Sequence, residues 1–254
     1  MIKTSLPPFP IWGKQDIIQR YGLRKDKVKI VLWAPVLTAY TGPSSDDLIR
    51  VQQKFLLPEA FVLYPAQTWP HKNHLGLLEA LALLRERHGL IVPLVSTGHL
   101  DDFFCKIERR ARELGVSEQV GFLGFVSTAE LYSLYKLCRC LVFPSKFEGW
   151  GMPITQAFLA GVPVACSNVT SLPDLVGDAA LLFDPEEPEE IADSIRRLWT
   201  EEALRKILIQ GGNENLGRFT WKRTARMFRA HYRRIASRPL TEDDRMLLET
   251  PPLV

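Results

Sequence analysis

From residue 61 onward, short apolar runs alternate with longer amphipathic segments. The runs are four to seven residues long and rich in branched and aromatic residues, a pattern typical of buried strands. They are FVLYP (61–65), LIVPLVS (90–96), QVGFLG (119–124), CLVFP (140–144), VPVAC (162–166) and ALLF (180–183). The helical spacing of apolar positions predicts helices at 74–88, 102–114, 128–138, 153–160, 186–199, 201–216 and 221–236.

Continuous apolar strands separated by helices indicate a parallel sheet with helices on both faces. We therefore predict an α/β fold, a single doubly wound parallel sheet of the Rossmann-like type followed by C-terminal helices. In such sheets ligands bind at the carboxyl ends of the strands. The loops at those ends are where we look for functional residues.

The flanking segments have a less regular pattern. Lys14–Tyr21 predicts a helix, and VKIVLWAP at Val28–Pro35 predicts a buried strand. Ser45–Phe55 predicts a helix with Ser45 as N-cap, because acidic residues follow in the first turn. The predicted organisation is a front segment at 1–35, the Rossmann-like domain at 36–217, a basic helix at 218–238 and a loosely held tail at 239–254.

The basic helix is unusual in its charge. From Arg218 to Arg238 there are eight Lys or Arg residues and no Asp or Glu. One interpretation is a solvated face of an amphipathic helix, with Trp221, Phe228 and Tyr232 facing the core. The other is peripheral contact with an anionic membrane surface or an acidic partner. The sequence leaves both open.

Composition narrows the class of protein. The net charge of the 254 residues is +3, too small to indicate nucleic-acid binding. No apolar run approaches the roughly 20 residues of a membrane span, and the N-terminus lacks the apolar core of a signal peptide. The four cysteines form no CxxC pair with metal spacing. Together these features predict a cytoplasmic protein with reduced thiols and no bound metal.

The loop after the run CLVFP carries the strongest local signal. It reads SKFEGWGMP, and Pro153 suits the first turn of a helix that Gly161 ends. Residues 149–152 therefore lie just ahead of a helix N-terminus, where unpaired N–H groups and the helix dipole favour a phosphate. The alternative is a plain strand-to-helix turn that binds no ligand. Glu148, just before the glycines, favours the anion-binding interpretation instead.

A second loop, YPAQTWPHKNH, follows the first run and opens the helix at 74–88. Lys72 near a helix start opposes the dipole, so its position suggests an anion to neutralise. His71 and His74 are candidate metal ligands, but no third ligand is near them in sequence. We therefore expect both to be surface or capping residues. A third loop, Gly124 to Val126, follows QVGFLG and offers backbone groups to a base or sugar.

Several blocks in this order resemble the C-terminal, donor-binding domain of retaining GT-B glycosyltransferases of the group 1 type. The blocks that show this resemblance are YPAQTWPHKNHLGLLEALALL, VGFLGFVSTAELYSLYKLC, EGWGMPITQAFLAGVPV, SNVTSLPDLVGDAALLFDP and FTWKRTARMFRAHYRRI. They cover about residues 55–236. Several blocks in the right order are far more specific than any one alone.

The resemblance implies a hexosyltransferase that uses a nucleotide-diphosphate sugar, such as a GDP- or UDP-hexose, with retention and without a metal or other cofactor. It implies polysaccharide biosynthesis, with a glycan or lipid-linked acceptor and a lean towards mannosyl transfer. Lys72 and Glu148 are implied to be the catalytic residues, with Lys72 contacting the diphosphate and Glu148 facing the donor sugar. The further donor-binding residues are Gln67, Gly124, Phe125, Val126, Gly149, Trp150, Gly151, Met152, Pro153 and Gln156.

Three departures from the family pattern bear on activity. Gln67 stands where the family has arginine, and Gln156 stands where it has a ribose-binding glutamate. A charge-assisted hydrogen bond is roughly twice as strong as a neutral one, so Gln67 predicts weaker donor binding. The Gln156 amide keeps one acceptor and two donors, which favours a neutral variant of a hydrogen-bonding position over a loss of activity. Residues 1–35 resemble only the end of the N-terminal acceptor domain, which predicts a separate acceptor-domain chain or a truncated gene. The alternative hypothesis is a non-catalytic glycosyltransferase-like module.

Overall fold

The computed structural model describes residues 11–39 and 41–249. Its centre is one six-stranded parallel sheet in the order β3-β2-β1-β4-β5-β6. The strands are β1 (Val62–Pro65), β2 (Leu94–Thr97), β3 (Val120–Phe122), β4 (Cys140–Phe143), β5 (Val164–Ser167) and β6 (Ala180–Phe183). Each lies in or beside a predicted apolar run, which confirms the α/β, Rossmann-like prediction.

The central strands are buried because helices cover both faces of the sheet. Every residue of β2, β4 and β5 is buried. Val62 is in register with Leu94 on one side and with Cys140 on the other, so β1 is the middle of the sheet. Two covered faces explain why the strands are continuous apolar runs rather than alternating ones.

Eleven α-helices lie in the described part of the chain. Before and among the strands they are α1 (Ile11–Tyr21), α2 (Ser45–Lys54), α3 (His74–His88), α4 (Phe104–Glu113), α5 (Thr128–Leu137), α6 (Met152–Ala160) and α7 (Leu172–Val176). After the sheet come α8 (Pro188–Thr200), α9 (Glu202–Leu216), α10 (Trp221–Ile235) and α11 (Glu242–Glu249). The sequence pattern missed α7 and α11, which have only five and eight residues.

Helix starts follow capping chemistry. The capping box predicted for α5 is present, with the Ser127 hydroxyl and the Glu130 carboxylate each bonded to the other's backbone N–H. The N-cap predicted for α2 was wrong by one residue. Ser44, not Ser45, accepts from Asp47 N–H at 3.2 Å, and the Asp47 carboxylate accepts from Ser44 N–H at 3.0 Å.

The strand predicted at Val28–Pro35 was also wrong. The segment forms no strand within the described residues, although Leu32 and Ala34 are buried and Trp33 between them is 52% exposed. Its Leu32 carbonyl accepts instead from the Thr224 hydroxyl of α10 at 2.6 Å. A strand exists only through backbone bonds to a neighbouring strand, and no such neighbour is present in the part of the chain described.

The orientation predicted for the basic helix was wrong as well. In α10 the buried residues are Thr224, Met227 and Ala230. Trp221, Phe228 and Tyr232 are all exposed, and Phe228 stacks on Tyr232 with ring centroids 5.8 Å apart. The aromatic side chains occupy a different face of the same amphipathic helix.

The described part of the tail, residues 239–249, is held against α10, so the prediction of a loosely held tail was wrong for these residues. Asp244 of α11 is fully buried and accepts from Arg229 at 2.8–2.9 Å and from Arg233 at 2.7 Å. Asp243 accepts from Arg226 and Arg229. Three arginines of the basic helix are therefore neutralised within the chain. Contact of residues 218–238 with an anionic membrane remains a prediction. The three paired arginines leave fewer unneutralised positive charges in this segment to attract such a membrane. Nowhere in residues 11–39 and 41–249 is a helix long and apolar enough to span a bilayer.

Candidate donor-binding site

The site lies where the strand order reverses. Strand β1 has β2 on one side and β4 on the other, so the loops after β1 and β4 leave the sheet at a topological switch point. Crevices at such points are where open α/β sheets bind ligands. The two loops are tied together by the Lys146 N–H, which donates to the His71 carbonyl at 2.8 Å.

Lys72 is held by its backbone. It ends a short 3-10 turn, Pro70–Lys72, and its carbonyl accepts from the hydroxyl of Tyr64, a fully buried residue of β1. The next residue, Asn73, adopts a left-handed conformation with φ of 59° and caps α3 by accepting from Gly76 N–H. The Asn73 amide also donates to the Pro185 carbonyl at 2.8 Å. These bonds fix the backbone around Lys72 and so the direction in which its side chain leaves the loop.

That side chain meets Glu148 from the other loop. Lys72 Nζ lies 2.5 Å from Glu148 Oε1, and the two side chains are only 16% and 12% exposed. The ammonium also lies 5.7 Å from the centre of the Phe143 ring. The structure therefore brings together, across 76 residues of sequence, the two residues proposed as central. Removing one member of such a partly buried pair leaves an uncompensated charge.

The glycine loop leads directly into α6. Gly151 is the N-cap residue with φ of 86°, it makes no side-chain cap bond, and Pro153 lies in the first turn. A Cβ on Gly151 would lie 2.7 Å from Leu172 Cδ2, so glycine is required on both counts. Gly161 ends the helix in a left-handed conformation. The predicted helix start is present, without a side-chain cap, four residues after Glu148.

Gln156 lies within α6 and is 9% exposed. Its Oε1 accepts from the Tyr135 hydroxyl at 3.0 Å, and the same hydroxyl lies 3.1 Å from the Pro153 carbonyl. A carbonyl oxygen at this position is thus engaged by α5. The predicted contact of Gln156 with a ribose stays a prediction.

The loop Gly124 to Val126 is hydrogen-bonded to the end of β2 and to the loop that follows it. The Gly124 carbonyl accepts from the Thr97 hydroxyl at 2.7 Å and from Gly98 N–H at 2.9 Å. Gly124 has φ of 65°, Phe125 is 87% exposed and Val126 is buried. Gln67, on the loop after β1, is exposed. Gly124 and Gln67 both lie close to Gly98, the residue that links them.

Most of the chain matches a known protein family. The family model for glycosyl transferases group 1 matches residues 45–215, which span all six strands. The chain belongs to the glycosyl transferases group 1.

Individual group 1 relatives agree. Over 215 residues the chain is 33% identical to O-antigen chain mannosyltransferase B of Escherichia coli, covering 83% of this chain and 55% of that protein. The chain thus spans about half the length of this curated relative. A glycosyltransferase from Rickettsia africae has a TM-score of 0.82 at 17% identity, covering 90% of this chain and 62% of that one. Anabaena Alr3699/HepE in complex with UDP and glucose has a TM-score of 0.73 at 22% identity, covering 88% and 60%. These two structures show the shared fold.

Of the two histidines of this group 1 chain, only His74 departs from the prediction. His71 is half-buried at the surface, but His74 is buried, against expectation. The His74 ring lies against Tyr64 with centroids 4.7 Å apart, and its Nε2 is 3.4 Å from the Ser96 hydroxyl. Among the described residues no group of three or more His, Cys, Asp or Glu side chains is arranged to hold a metal ion.

Burial of His74 predicts a loss of stability at acid pH. Desolvation is the main cause that lowers its pKa from 6.5 to about 4, opposed by Asp101 and assisted by Lys72. The folded state therefore binds this proton less readily than the unfolded state, and stability falls as pH drops from about 6.5 towards 4. Between pH 7 and 5 we expect a loss of about 2 kcal/mol from this group. Urea unfolding at several pH values measures it, and His74→Gln should remove that part of the slope. An unchanged slope in the variant contradicts the assignment.

Three residues of the site were not predicted from the sequence. Gly98 follows β2 and has φ of 142°, and Thr170 and Ser171 follow β5. Thr170 and Ser171 both bond to the Glu148 backbone. A glycine directly after an apolar run was a visible signal for Gly98. Nothing local in SNVTSLPD marks the other two, because their partner lies 22 or 23 residues away.

Gly98→Ala should be strongly destabilising. An added Cβ would lie 2.5 Å from the Ala66 carbonyl oxygen and 2.9 Å from Gln67 N, which are backbone atoms that cannot rotate away. We expect a loss of about 2–4 kcal/mol from this clash and from the unfavourable φ. Denaturant unfolding measures it. Gly149→Ala is the control, since a Cβ there meets nothing within 4 Å. Equal stability of the two variants would contradict the described packing of the loops.

Proposed function

We propose that the chain is the donor-binding half of a retaining, metal-independent hexosyltransferase. It takes a nucleotide-diphosphate sugar and passes the hexose to a glycan or lipid-linked acceptor in polysaccharide biosynthesis. The observation that carries this proposal is the Lys72–Glu148 pair at the switch point of the sheet, with a cation and a carboxylate 2.5 Å apart beside an open helix N-terminus.

The cation and the carboxylate have separate roles in the proposed site. Lys72 and the N–H groups at the start of α6 bind the diphosphate, since both present positive charge to an anion. Glu148 faces the sugar, where a carboxylate stabilises positive charge that develops at the anomeric carbon. Before a donor binds, each charge neutralises the other. The diphosphate then competes with Glu148 for the ammonium group.

The remaining proposed contacts follow the loops. Gly124, Phe125 and Val126 lie against the base, and Gln156 reaches the ribose. Gln67 lies near the diphosphate. The backbone of Gly149, Trp150, Gly151, Met152 and Pro153 lines the sugar and the phosphates.

The chemistry is bond exchange at one carbon. The bond between the anomeric carbon and the diphosphate oxygen breaks, and the acceptor hydroxyl oxygen bonds to the anomeric carbon on the same face. Its proton passes to the departing nucleoside diphosphate. Lys72 stabilises the negative charge on the leaving group as the bond breaks. Positioning and electrostatics supply the catalysis, so geometry in the loops matters more than any single reactive side chain.

The donor sugar that we favour is mannose. The support is the 33% identity to an O-antigen chain mannosyltransferase and 31% identity over 186 residues to the serotype-specific mannosyltransferase WbdA of Escherichia coli. GDP and UDP are the two bases to test. The Gln67 side chain carries no positive charge, so Lys72 is the principal side-chain cation for the diphosphate.

We propose that an acceptor domain packs against the front segment and α10. A cavity of about 490 Å³ opens between α1, residues 28–33 and the loop at Gly149–Met152, so this face borders the site directly. Ile17 and Trp33 are exposed on it. Along α10, Trp221, Phe228, Tyr232 and Ile235 form an exposed apolar stripe. O-antigen chain mannosyltransferase B, of which this chain covers 55%, has room for such a domain outside the matched part.

A nucleotide panel tests the proposal. We expect GDP or UDP to raise the melting temperature by about 5–10 °C at a hundredfold excess over Kd, and ADP to have little effect. EDTA should leave that shift unchanged. Transfer of mannose should require addition of the acceptor domain. Absence of a shift with GDP, UDP and ADP overturns the donor-binding proposal, and efficient transfer by this chain alone overturns the division into halves.

A further inference from the structure

The loop after β5 bonds to the backbone of Glu148 on both sides of its Cα atom. The Glu148 N–H donates to Thr170 Oγ1 at 3.2 Å, and the Ser171 hydroxyl donates to the Glu148 carbonyl at 2.9 Å. Thr170 and Ser171 are adjacent in sequence and reach one residue of a different loop. We call these two residues the clamp.

Two such bonds orient the glutamate side chain. One fixes the peptide plane before Glu148 and the other fixes the plane after it, which together set its φ and ψ and the direction of its Cβ. Before it, the Lys146 N–H is bonded to the His71 carbonyl and the Phe147 ring packs on Trp12, but neither contact involves the two peptide planes of Glu148. The next residue is a glycine, whose backbone has unusual freedom. The clamp is therefore what fixes both peptide planes of Glu148, in addition to the ion pair that its carboxylate makes with Lys72.

The backbone of Thr170 supports a functional reason for the clamp. Thr170 has φ of 50°, a left-handed conformation that is a genuine outlier for a β-branched residue. Strain of this kind persists where the surroundings impose it, and it is concentrated at functional sites. A glycine would adopt this conformation at no steric cost, but it would carry no hydroxyl for the Glu148 N–H.

The other half of the clamp is rigidly anchored. Ser171 is 1% exposed and its carbonyl accepts from Leu175 N–H at 3.2 Å in α7. Leu172 and Leu175 of that helix are fully buried and contact the Gly151 position. The clamp therefore connects Glu148 to the core through α7.

We propose that Thr170 and Ser171 are positioning residues that hold the Glu148 carboxylate for the donor sugar. The effect on sugar recognition rests on the proposed function, whereas the effect on the Lys72–Glu148 pair does not. Loss of the clamp leaves the ammonium of Lys72 available to a diphosphate and misplaces only the group that faces the sugar. Loss of the clamp therefore weakens binding of the nucleotide sugar, whereas binding of the nucleoside diphosphate is unchanged or tighter.

The first experiment compares GDP and UDP with GDP-mannose and UDP-glucose by calorimetry on the full chain. In Thr170→Gly and Ser171→Ala we expect affinity for the nucleotide sugar to fall at least fivefold, while affinity for the nucleoside diphosphate stays within twofold of wild type or rises. Thr170→Ser keeps the hydroxyl and should restore nucleotide-sugar affinity. Thr170→Gly relieves the strained φ, so its melting temperature should equal or exceed that of the wild type. Leu56→Gly, at an exposed position with φ of 49°, is the matched control for strain relief.

The second experiment needs no nucleotide. The rate at which an amine-reactive ester labels Lys72, read by peptide mass spectrometry, should rise at least threefold in Thr170→Gly and Ser171→Ala and stay unchanged in Thr170→Ser. Lys146, which pairs with Glu186, is the internal control. Unchanged Lys72 labelling in both clamp variants overturns the proposal, as does an equal loss of affinity for nucleotide and nucleotide sugar. If the wild type binds no nucleotide, the proposed function fails, and the labelling rates alone still decide the clamp.

Discussion

Glu148→Gln should lower the rate of sugar transfer by about 10²–10³-fold while binding of GDP or UDP is retained. The amide keeps the size of the carboxylate but removes the charge that opposes positive charge at the anomeric carbon. It also frees Lys72 from its 2.5 Å partner, so the ammonium meets the diphosphate without competition. Affinity for the nucleoside diphosphate should therefore be unchanged or higher. The measurement is mannose transfer with the acceptor domain present, alongside calorimetry with GDP and UDP.

The control for this variant is Glu186→Gln. Glu186 is exposed and pairs with Lys146, which lies on the loop that carries Glu148. The Glu186→Gln substitution therefore removes the same charge near the site and leaves the Lys72–Glu148 pair unchanged. We expect transfer within twofold of wild type. A Glu148→Gln enzyme with normal transfer would show that the carboxylate does not face the reacting sugar. Loss of nucleotide binding in the same variant would show that Glu148 holds the nucleotide instead.

Lys72→Ala should lower affinity for GDP or UDP by about 10–100-fold, the loss expected for a hydrogen bond to a charged group. The variant also leaves Glu148, only 12% exposed, without its counter-ion, and that negative charge repels a diphosphate. Both effects have the same sign. The nucleotide-dependent rise in melting temperature should shrink accordingly, because it follows ligand concentration relative to Kd.

Lys146→Ala is the matched control for Lys72→Ala. It removes an exposed lysine from the facing loop, so it changes net charge equally. We expect less than a twofold change in affinity for GDP and UDP. Similar losses in the two variants would indicate a diffuse electrostatic effect rather than a contact from Lys72. Normal nucleotide affinity in Lys72→Ala would place the diphosphate elsewhere.

The fold was predictable because its signal is local. Each strand of the sheet lies in or beside a short apolar run, and burial of the central strands on both faces leaves few polar positions within them. The long helices are similarly visible through their spacing. By contrast, α7 and α11 are too short for a periodic pattern, and a strand at Val28–Pro35 depends on a neighbour that the sequence pattern does not reveal.

The helix faces were harder to predict than the helices. Trp221, Phe228 and Tyr232 satisfy helical spacing, but so do Thr224, Met227 and Ala230, and burial selects the second set. Likewise, acidic residues that neutralise the basic helix lie in the tail, where only packing of α11 on α10 shows the pairing. A helix with several amphipathic faces does not identify its own buried face.

The amino-acid sequence alone determined the order of strands along the chain, the glycine loop ahead of α6 and the family blocks that marked Lys72 and Glu148, because these depend on residues close together in sequence. The tertiary structure decided what those residues touch. Only the sheet order places β1 beside β4 and so joins Lys72 to Glu148 across 76 residues. Only packing of α7 brings Thr170 and Ser171 to the Glu148 backbone. Contacts of this kind depend on which loops meet in space, and that follows from the burial of the whole sheet.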